Sequence, residues 1–532
     1  MNLTAAILAA AWRENLTGLR ERPSPLPFTA REGAFNQLTV TDAPDIEPVE
    51  ALEAILDAPV PPHLIDELAS ARSGHAIAAA RGRARRRHLA GLAARAGTAS
   101  LAKLLERCEQ GTDATARLLE TLVTDGHLLH PCARTRLGWD ETDCARYDVE
   151  TPRPVPVRLL ADPTGLLSRS GIDFRDHALL VGLDLPDPVV PVHPWQLEHR
   201  ILPTHRDLFD TGRLRVLDTV IPTWPTAAVR TVCGADRPGH LKLALGIHIT
   251  STRRDIAPAT ARLAPALTAA VAALIADDHS HAIAADQAGA WLPGSRDLTA
   301  IARAPLAQAA PAGTVVIPAA ALCTASPVTG LALATEYAHW SGDPETWIRS
   351  YAALVSPPVL RLASHHGIGL EAHLQNTLVA FDGPTPVRLI TRDLGGVRLH
   401  RPHLDVDLPA GSPIVAEDRT AVLAKVAYTL LQNQLAAIVA ALARDCGLNE
   451  ARFWADLADL IAGLDLPAAD RDLYLAEHLP TKALLTMRLH PGTEAEAWVD
   501  NPLHRGDRRR PWPTSPATCP PRHPPGSIRP PA

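Results

Sequence analysis

The spacing of apolar residues divides the chain into regions of different texture. Residues 1–125 place Ala and Leu at the three- and four-residue intervals of amphipathic helices, as in LAKLLERCEQGTDATARLLETLVTDG. Residues 126–330 change to short apolar runs interrupted by Pro and Gly, which predicts a strand-rich region with some helices. Residues 331–510 combine a predicted hairpin with a long amphipathic helix at about 421–444. We therefore predict a multi-domain α+β protein.

The end of the chain has a different composition. Residues 511–532 are rich in Pro and contain few residues that a core would bury. We expect this tail to be disordered.

The predicted hairpin lies in HGIGLEAHLQNTLVAFDGPTPVRLITRD. Two short β-rich runs, 377–381 and 387–391, flank the turn signal DGP at 382–384. If they pair across this turn, Asn376 and Asp393 become cross-strand neighbours at the open end, roughly 5 Å apart.

Polar residues gather just before this hairpin. Glu371, His373 and Gln375 precede its first strand. Their oxygen and nitrogen atoms, together with those of Asn376 and Asp393, suit a magnesium or polyphosphate site. The alternative is a polar hairpin end in water.

A second pattern is the strict alternation in HLKLALGIHIT, residues 240–250. Leu and Ile occupy the odd positions, and Lys242, His248 and Thr250 share the other face. Ala244 and Gly246 between them leave a shallow floor on which a ligand could lie. The alternative is an exposed strand with ordinary surface charges. Fully extended, Lys242 and Thr250 would be roughly 26 Å apart, so they would contact different parts of a long ligand unless the strand bends.

Further cations and hydroxyls flank this strand. Arg253 and Arg254 follow it, and Arg230 and Thr231 precede it in PTAAVRTV. Such groups are what a triphosphate requires, because its oxygens accept charge-assisted hydrogen bonds.

Composition narrows the functional class. The 532-residue chain has 46% hydrophobic residues and a formal net charge of −6, which gives no basic field for nucleic acid. No run reaches the roughly 18 apolar residues of a membrane span, and the N-terminus lacks the charge pattern of a signal peptide. The seven cysteines are scattered without CxxC pairs, which argues against a disulfide framework and a zinc site. We expect a cytoplasmic protein with reduced thiols.

Lysine is rare in this arginine-rich chain. Only Lys103, Lys242, Lys425 and Lys482 occur. A lysine that persists against such a bias marks a position where a compact ammonium is needed, so these four positions merit comparison with any motif. Neither a Walker loop, a GxGxxG fingerprint nor a GxSxG elbow is present.

Ordered motifs along the chain resemble one family, the siderophore synthetases that act independently of non-ribosomal peptide synthetases, typified by the aerobactin synthetases. The blocks that carry the resemblance are GHLLHPCARTRLG (126–138), VHPWQ (192–196), PTAAVRTV (225–232), HLKLALGIHITSTRRDI (240–256), HGIGLEAHLQN (366–376), RDLGG (392–396), LPTKALLTMRL (479–489) and NPL (501–503). Their number and order make chance similarity implausible.

The resemblance implies an architecture and a reaction. The chain would fold into a helical thumb (1–125), strand-rich fingers (126–330) and an α+β palm (331–510), with ATP between fingers and palm. The expected reaction is ATP-dependent activation of a carboxylate of citrate or a citrate derivative as an acyl-adenylate, with release of pyrophosphate. An acceptor then displaces AMP: a polyamine, a hydroxylamine-type amine or an amino alcohol. The resemblance also implies a homodimer.

The resemblance assigns roles residue by residue. It implies catalysis by His373, Arg254 and Lys242. It implies ATP binding by residues of both fingers and palm, namely Arg230, Thr231, Lys242, Thr250, Arg254, Gln375 and Asn376. It implies binding of the other substrates by His130, Thr250, Arg254, Glu371, His373 and Gln375. It implies Mg²⁺ binding by Glu371, Asn376 and Asp393.

The chain departs from the family pattern in two places. The serines that precede RT in the family are Ala227 and Ala228 here, and the lysine of the first block is Arg134. One alternative is therefore a degenerate subunit that binds ATP or carboxylate without turnover. Another is a kinase-like small-molecule phosphotransferase, since an Asn before a hairpin and an Asp after it are similar to the metal ligands of kinase-like folds. Such folds also need a catalytic Asp, where this chain has Glu371.

Overall fold

The structure is a computed structural model that describes residues 2–504, except 109–110, 186–187, 251, 401–403, 405 and 409–411, together with 517–518. It is a mixed α+β fold, as predicted. The expected disordered tail at 511–532 lies outside the described residues, apart from the two-residue strand Ala517–Thr518.

The strands are numbered in chain order. Those up to residue 243 are β1 Thr29–Glu32, β2 Leu38–Asp42, β3 Val155–Ala161, β4 Ser168–Gly171, β5 Val189–Val192, β6 Arg215–Pro225, β7 Thr231–Gly234 and β8 His240–Leu243. The later strands are β9 Leu245–Ile249, β10 Thr252–Arg254, β11 His281–Ala284, β12 Asp286–Trp291, β13 Thr299–Arg303, β14 Val315–Pro318, β15 Ile368–Gly369, β16 Thr377–Asp382, β17 Thr385–Arg392, β18 Arg398–Leu399, β19 His478–Lys482, β20 Glu496–Asp500 and β21 Ala517–Thr518.

The α-helices are numbered in the same way. The first nine are α1 Leu3–Arg13, α2 Pro48–Leu56, α3 Pro62–Arg95, α4 Leu101–Glu106, α5 Thr112–Glu120, α6 Glu141–Tyr147, α7 Pro194–Gln196, α8 Leu202–Thr204 and α9 Arg206–Asp210. The remainder are α10 Pro258–Leu274, α11 Ala319–Leu322, α12 Leu333–Ser341, α13 Pro344–His366, α14 Arg419–Val426, α15 Ala436–Cys446, α16 Glu450–Gly463, α17 Ala468–Tyr474 and α18 Leu484–Leu489.

The N-terminal region is mainly helical, as predicted, and it also contains the short hairpin of β1 and β2. Its longest helix, α3, begins with Pro62 in the first turn, where the missing N–H costs nothing. The apolar side chains of α1 and α2 form a core with Leu485 and Leu489 of α18. The two ends of the chain therefore fold together.

An eight-stranded antiparallel sheet forms the middle of the molecule. Its strand order is β4-β12-β13-β8-β7-β6-β3-β5, so β8 lies near the centre, between β13 and β7. Buried Val and Leu side chains of these strands form a core of their own.

A smaller mixed sheet carries the predicted hairpin. Its order is β11-β17-β16-β14, with β11 parallel to β17 and the other pairs antiparallel. The sheet thus combines strands from both sides of residue 330. The largest core of the protein packs beneath it, around α13, α15 and α16.

The hairpin prediction is confirmed, but its register differs by one residue. Thr377 pairs with Thr391, and Arg392 donates its N–H to the Asn376 carbonyl at 3.0 Å, so Asp393 lies one position beyond the pair. The turn is tighter than the three-residue signal at 382–384 suggests, because Asp382 already pairs with Thr385, and a bulge between Ala380 and Phe381 then moves the pairing by one residue, to Asn376 opposite Arg392.

The prediction of one strand over 240–250 is wrong. The chain breaks at Ala244, whose N–H bonds to the Thr299 carbonyl at 2.9 Å, and β9 then pairs with β10 outside the large sheet. Lys242 is only 4% exposed, so it does not share an open face with His248. Because β8 and β9 belong to different sheets, residues 240–250 do not form one extended strand, and the roughly 26 Å separation expected for such a strand does not apply.

The long helix expected at 421–444 is observed as a continuous helical segment from α14 to α15, with a π-helical stretch, Ala427–Leu435, between them. In the described part of the chain, Arg419–Cys446 is long and apolar enough to cross a membrane, and 89% of its most apolar window is buried inside the protein. This is the burial of a core helix.

Candidate functional site

The two sheets meet through an ion pair. Lys242 of β8 donates from Nζ to Asp393 Oδ1 at 2.6 Å, and Gly395 donates its N–H to the same oxygen at 3.3 Å. Asp393 follows β17 directly and adopts a left-handed backbone conformation, with φ 64°. Two motifs separated by 151 positions therefore converge on one carboxylate.

Asp393 is ionised in this environment. Burial would raise its pKa, but Lys242, Arg303 and Arg230 lower it, and the net pKa is well below the usual range. A half-buried carboxylate surrounded by cations is suited to hold those cations in place around an anion.

Arg230 and Arg254 form the cationic wall beside this pair. Arg230 donates from Nη1 to the carbonyls of Asp255 at 2.7 Å and Arg254 at 3.0 Å. Arg254 donates from Nη2 to Thr250 Oγ1 at 2.7 Å and to the Ile249 carbonyl at 2.9 Å. Burial and then the charge of Arg230 lower the pKa of Arg254 to about 9. These two guanidinium groups repel each other, so an anion between them would stabilise the site.

Thr250 is held in an unusual conformation. Its φ is 56°, in the left-handed region that β-branched residues rarely adopt. Val229, in the loop before β7, has φ 64°. Backbone strain of this kind is concentrated at functional sites, and here it lies on both segments that carry the arginines.

Glu371 forms a second ion pair, with Lys425 of α14. Burial would raise the pKa of Glu371, but Lys425, then His373 and Lys482, lower it, and the net direction is downward. A Cβ on Gly396 would lie 1.9 Å from Glu371 Oε2. The glycine of RDLGG therefore makes room for this carboxylate.

His373 is fixed in one tautomer. Its Nδ1 accepts the N–H groups of Gln375 and Asn376, each at 3.2 Å, so the neutral ring carries its proton on Nε2. Burial lowers the pKa of His373, which favours this neutral form. Asn433, on the π-helical stretch, accepts the N–H of the next residue, Leu374, at 3.1 Å. The imidazole is thus held by backbone donors and offers Nε2–H as a donor.

Glu120, at the end of α5, forms hydrogen bonds to both the hairpin end and the loop before β7. Its Oε1 accepts from Arg392 Nη2 at 2.6 Å, and its Oε2 accepts the N–H of Ala227 at 2.6 Å. Arg392 also donates to the Gln375 carbonyl at 2.8 Å. Glu120 and Arg392 are 1% and 5% exposed. This buried pair positions the loop before β7 against the hairpin end.

The loop before β7 is closed by its own hydrogen bonds. The Thr231 carbonyl accepts the N–H and the Oγ1–H of Thr226, each at 2.9 Å, and Thr231 pairs with Lys242 across β7 and β8. Thr231 thus shapes the loop through its backbone.

His130 lies on the side of Arg254. Its Nδ1 accepts the N–H of Cys132 at 3.0 Å, and its ring centroid is 6.3 Å from that of His127. Burial, followed by the charges of His127, Arg488 and Arg254, lowers the pKa of His130 well below its ordinary value. The imidazole is neutral there.

Of the residues singled out from the sequence, the structure joins Lys242 to Asp393 directly and brings Arg230 and Arg254 beside them. Gln375 and Asn376 contact Arg392 through their backbone carbonyls, which accept hydrogen bonds from its guanidinium and its N–H respectively. Their side-chain roles remain predictions.

Several residues of the site were missed. The contacts described above add Lys425, Glu120, Arg392 and Asn433. Scarcity of lysine marked Lys425 and the RDLGG block contains Arg392, whereas no pattern distinguishes Glu120 or Asn433, whose partners are distant in sequence.

A separate buried group is formed by Asp113, Cys233 and His240, whose ligand atoms lie within 4.8 Å of one another. Asp113 Oδ1 lies 3.2 Å from His240 Nδ1 and accepts the N–H of Leu306 at 3.2 Å. The scattered cysteines did not predict this group. The six cysteines in the described part of the chain are all free.

The regions of the chain that match known families contain most of the motifs described above. Residues 115–324 match the IucA / IucC family, and residues 345–497 match the family described as ferric iron reductase FhuF-like transporter. The chain is 25% identical to staphyloferrin A synthase of Staphylococcus aureus over 427 residues, which cover 73% of this chain and 72% of that protein. The resemblance to the siderophore synthetases is confirmed.

Two further matches bear on ligands. The chain is 23% identical to D-ornithine–citrate ligase of Staphylococcus aureus over 480 residues, covering 76% of this chain and 72% of that protein. The fold matches the ATP-bound aerobactin synthetase IucA of a hypervirulent Klebsiella pneumoniae with a TM-score of 0.73 at 18% identity, covering 95% of this chain and 100% of that one. Curated relatives thus include a citrate ligase, and the fold is that of an aerobactin synthetase.

Proposed function

We propose that this protein is an ATP-dependent siderophore synthetase that adenylates a carboxylate of citrate or a citrate derivative and joins it to an amine or hydroxyl, releasing AMP and pyrophosphate. The observation that carries the proposal is the convergence of Arg230, Lys242 and Arg254 with Asp393 and the Glu371 region in one place. We choose citrate as the carboxylate because the similar proteins include a D-ornithine–citrate ligase and a staphyloferrin A synthase.

The proposal includes the arrangement of the parts. The helical N-terminal region would act as a thumb, the large sheet as fingers and the smaller sheet as a palm, with ATP between the latter two. We also propose that the protein works in the cytoplasm as a homodimer.

The cationic wall fits the phosphates of ATP. The half-buried guanidinium groups of Arg230 and Arg254 lie beside the buried Lys242 ammonium, and in the described part of the chain only Lys242 forms an ion pair with a carboxylate, that of Asp393. Charge-assisted donors of this kind bind phosphate oxygens strongly, and they would stabilise the negative charge that grows on leaving pyrophosphate. Ala227 and Ala228 leave such binding to these cations and to backbone groups.

The acidic residues fit Mg²⁺. Glu371 and Asp393 are ionised, and each already holds an ammonium group, Lys425 and Lys242 respectively. Oxygen ligands with a carboxylate charge suit this hard cation, and Asn376 would supply a further oxygen. Bound there, Mg²⁺ would neutralise phosphate charge.

His373 would orient the reacting carboxylate. Its Nε2–H can donate to a carboxylate oxygen, while Nδ1 is held by the backbone. A second carboxylate oxygen attacks the α-phosphorus of ATP and pyrophosphate leaves. The acceptor nitrogen or oxygen then attacks the acyl carbon, loses a proton, and AMP leaves with the oxygen that bridged carbon and phosphorus.

A hydroxylamine assay tests the proposal. The protein is incubated with ATP, Mg²⁺, citrate and excess hydroxylamine, which captures activated carboxylate without needing the natural acceptor. We expect citrate-dependent pyrophosphate, AMP and citryl hydroxamate. ADP as the product would contradict the proposal and favour a phosphotransferase, and absence of all products with each of several citrate-like carboxylates would favour a degenerate subunit.

The matched variants are His373→Ala and His339→Ala. His339 is exposed on α12, so its substitution leaves the site intact. We expect His373→Ala to abolish hydroxamate formation while circular dichroism and melting temperature stay close to those of His339→Ala. Retained turnover in His373→Ala would remove this residue from the mechanism.

A further inference from the structure

A cationic cluster next to the site is not used by the adenylation chemistry. It consists of Arg13 from the end of α1, Tyr428 from the π-helical stretch, and Lys482 from the end of β19. The three come from the two ends of the chain and from the core helix, so only the folded protein assembles them. We call them the Arg13 cluster.

The contacts of these residues join them into one group. Arg13 Nη2 lies 3.5 Å from the Lys482 carbonyl and 3.4 Å from the Leu129 carbonyl, which it bonds weakly. Lys482 Nζ lies 5.7 Å from the centre of the Tyr428 ring. Burial raises the pKa of the Tyr428 hydroxyl, and the neighbouring Arg13 guanidinium opposes this rise.

The cluster contains a buried donor that has no hydrogen-bond partner within the described residues. Arg13 is 3% exposed and Tyr428 is 6% exposed; the Tyr428 hydroxyl interacts with the Arg13 guanidinium, whereas Arg13 Nη1 has no acceptor of its own. Buried donors are almost always satisfied, because a buried donor without an acceptor costs about 1–3 kcal/mol. Arg13 Nη1, next to the Lys482 ammonium, is therefore a donor available to a ligand.

The neighbouring carboxylate does not satisfy this donor. Glu14 Oε1 lies 3.9 Å from Arg13 Nη2, too far for a hydrogen bond. Its two oxygens already accept the N–H groups of Leu485 at 2.7 Å and Thr486 at 2.8 Å, and the Thr486 hydroxyl at 2.9 Å. Glu14 is thus engaged in capping α18.

The three lysines at the site differ in one respect. Lys242 is paired with Asp393 and Lys425 with Glu371, whereas Lys482 forms no ion pair with a carboxylate in the described part of the chain. The cluster as a whole has an excess of positive charge. An anionic group would be attracted to it, and a polycation would be repelled.

The cluster adjoins the reacting centre. Lys482 is close enough to Glu371 to act on the pKa of that carboxyl, although less strongly than burial, Lys425 and His373. Burial, then the charges of His373, Arg13 and Lys482, lower the pKa of His127 to about 3, so the same imidazole senses the reacting centre and the Arg13 cluster. A molecule that contacts the cluster can therefore extend towards His373.

The π-helical stretch gives independent support. Such stretches are rare and are found frequently at functional sites. Here Ala427–Leu435 carries Tyr428 towards the cluster and Asn433 towards Leu374, next to His373. Gln432, one position before Asn433, donates to the Pro480 carbonyl at 2.9 Å and so fixes β19 to the same helix.

From these contacts we infer that Arg13, Tyr428 and Lys482 bind a carboxylate of the acceptor, so that the natural acceptor is an amine bearing a carboxylate, such as a diamino acid. This inference rests on the proposed function and names the substrate class of the same site. It excludes polyamines and amino alcohols that lack a carboxylate as preferred acceptors.

Pairs of amines that differ by one carboxylate test the inference. Ornithine is compared with 1,4-diaminobutane, and 2,3-diaminopropanoate with 1,2-diaminoethane, as acceptors of activated citrate. Charge-assisted hydrogen bonds predict a kcat/KM about tenfold to a hundredfold higher for the carboxylated member of a pair. Equal or faster use of the simple diamines in both pairs overturns the inference.

Variants locate the effect. We expect Lys482→Met and Tyr428→Phe to raise the KM for the carboxylated acceptor at least fivefold and to leave the KM for citrate and hydroxamate formation nearly unchanged. Lys103→Met is the control for the lysine, because Lys103 also lies over an aromatic ring, that of Trp340 at 6.0 Å, but on the surface. Tyr474→Phe is the control for the tyrosine, since its hydroxyl is also buried but has Asp470, Arg419 and Ser364 as neighbours instead of Arg13 and Lys482. A raised KM for citrate alone would assign the cluster to the first substrate and overturn the inference.

A binding measurement separates this inference from the proposed function. In equilibrium dialysis with radiolabelled ornithine, excess unlabelled ornithine should displace the label and excess 1,4-diaminobutane should not, with or without turnover. Absence of hydroxamate would then contradict the proposed function, while loss of selective ornithine binding would contradict the acceptor assignment.

Discussion

The buried pair of Glu120 and Arg392 gives the sharpest test of how the site is held together. Glu120 accepts two hydrogen bonds of 2.6 Å, one from Arg392 and one from the N–H of Ala227. In Glu120→Gln the charge is lost and only one oxygen remains to accept. One of the two buried donors is then left facing an amide NH₂ group.

The expected cost follows from burial. Removing one partner of a buried, hydrogen-bonded ion pair destabilises a protein by about 3–5 kcal/mol, and since glutamine keeps one acceptor we expect about 3 kcal/mol for Glu120→Gln. The exposed pair of Glu47 and Arg72, with side chains 58% and 59% exposed, provides the control. Glu47→Gln should cost about 0–1 kcal/mol.

Urea unfolding followed by far-ultraviolet circular dichroism measures both free energies of unfolding. The double variant of Glu120→Gln and Arg392→Gln should lose at least about 1 kcal/mol less than the sum of the single losses, because the two residues interact. We also expect Glu120→Gln to raise the KM for ATP, since the loop at Ala227 loses its attachment. Equal stability of the Glu120 and Glu47 variants, together with an unchanged KM for ATP, would refute the role given to this pair.

Two further predictions concern space and charge. Gly396→Ala would place a Cβ 1.9 Å from Glu371 Oε2, so we expect this variant to abolish hydroxamate formation. Gly463→Ala, with no atom within 4 Å of its Cβ, should retain it. Equal activity of the two variants would contradict the tight fit. Burial lowers the pKa of His281 to about 4, so the unfolded chain binds a proton there at higher pH than the folded protein, and stability is lost as the pH falls from about 6.5 towards 4. Between pH 7 and pH 5, His281 accounts for a loss of about 2 kcal/mol in the free energy of unfolding. His281→Gln should reduce this loss, whereas His279→Gln, on the surface, should not. An unchanged pH dependence in His281→Gln would contradict the assignment.

The sequence predicted those parts of the site that lie on regular local patterns. The hairpin of β16 and β17 was predictable because a turn signal separates two β-rich runs. Lys242 was found because it lies in such a run, and Asp393 because it follows one. The predicted register was one residue off because the turn is tighter than the DGP signal suggested, with Asp382 paired to Thr385, and the bulge at Ala380 makes up only one residue of the difference.

The alternation over 240–250 misled for a physical reason. Period-two patterning describes local side-chain direction, but it does not show which strands pair: β8 pairs with the remote β13, whereas β9 pairs with β10. Lys242 consequently lies buried between layers instead of on an open face.

Contacts between distant segments were the least predictable part. Glu120, Asn433 and Arg13 each reach partners more than a hundred positions away or on another element, and none belongs to a local pattern that marks its role. Lys425 and Lys482 were exceptions, because the scarcity of lysine drew attention to them.

The central claim is that the reacting carboxylate attacks the α-phosphorus of ATP beside Arg230, Lys242 and Arg254. Citrate labelled with ¹⁸O in its carboxylates, incubated with the protein, ATP, Mg²⁺ and hydroxylamine, tests it most directly, because the bridging oxygen stays with the nucleotide when the acyl group is transferred. We predict one ¹⁸O atom in the phosphoryl group of AMP, observed by mass spectrometry and ³¹P NMR. Label in inorganic phosphate, with ADP as the other product, would show attack on the γ-phosphorus and contradict the account.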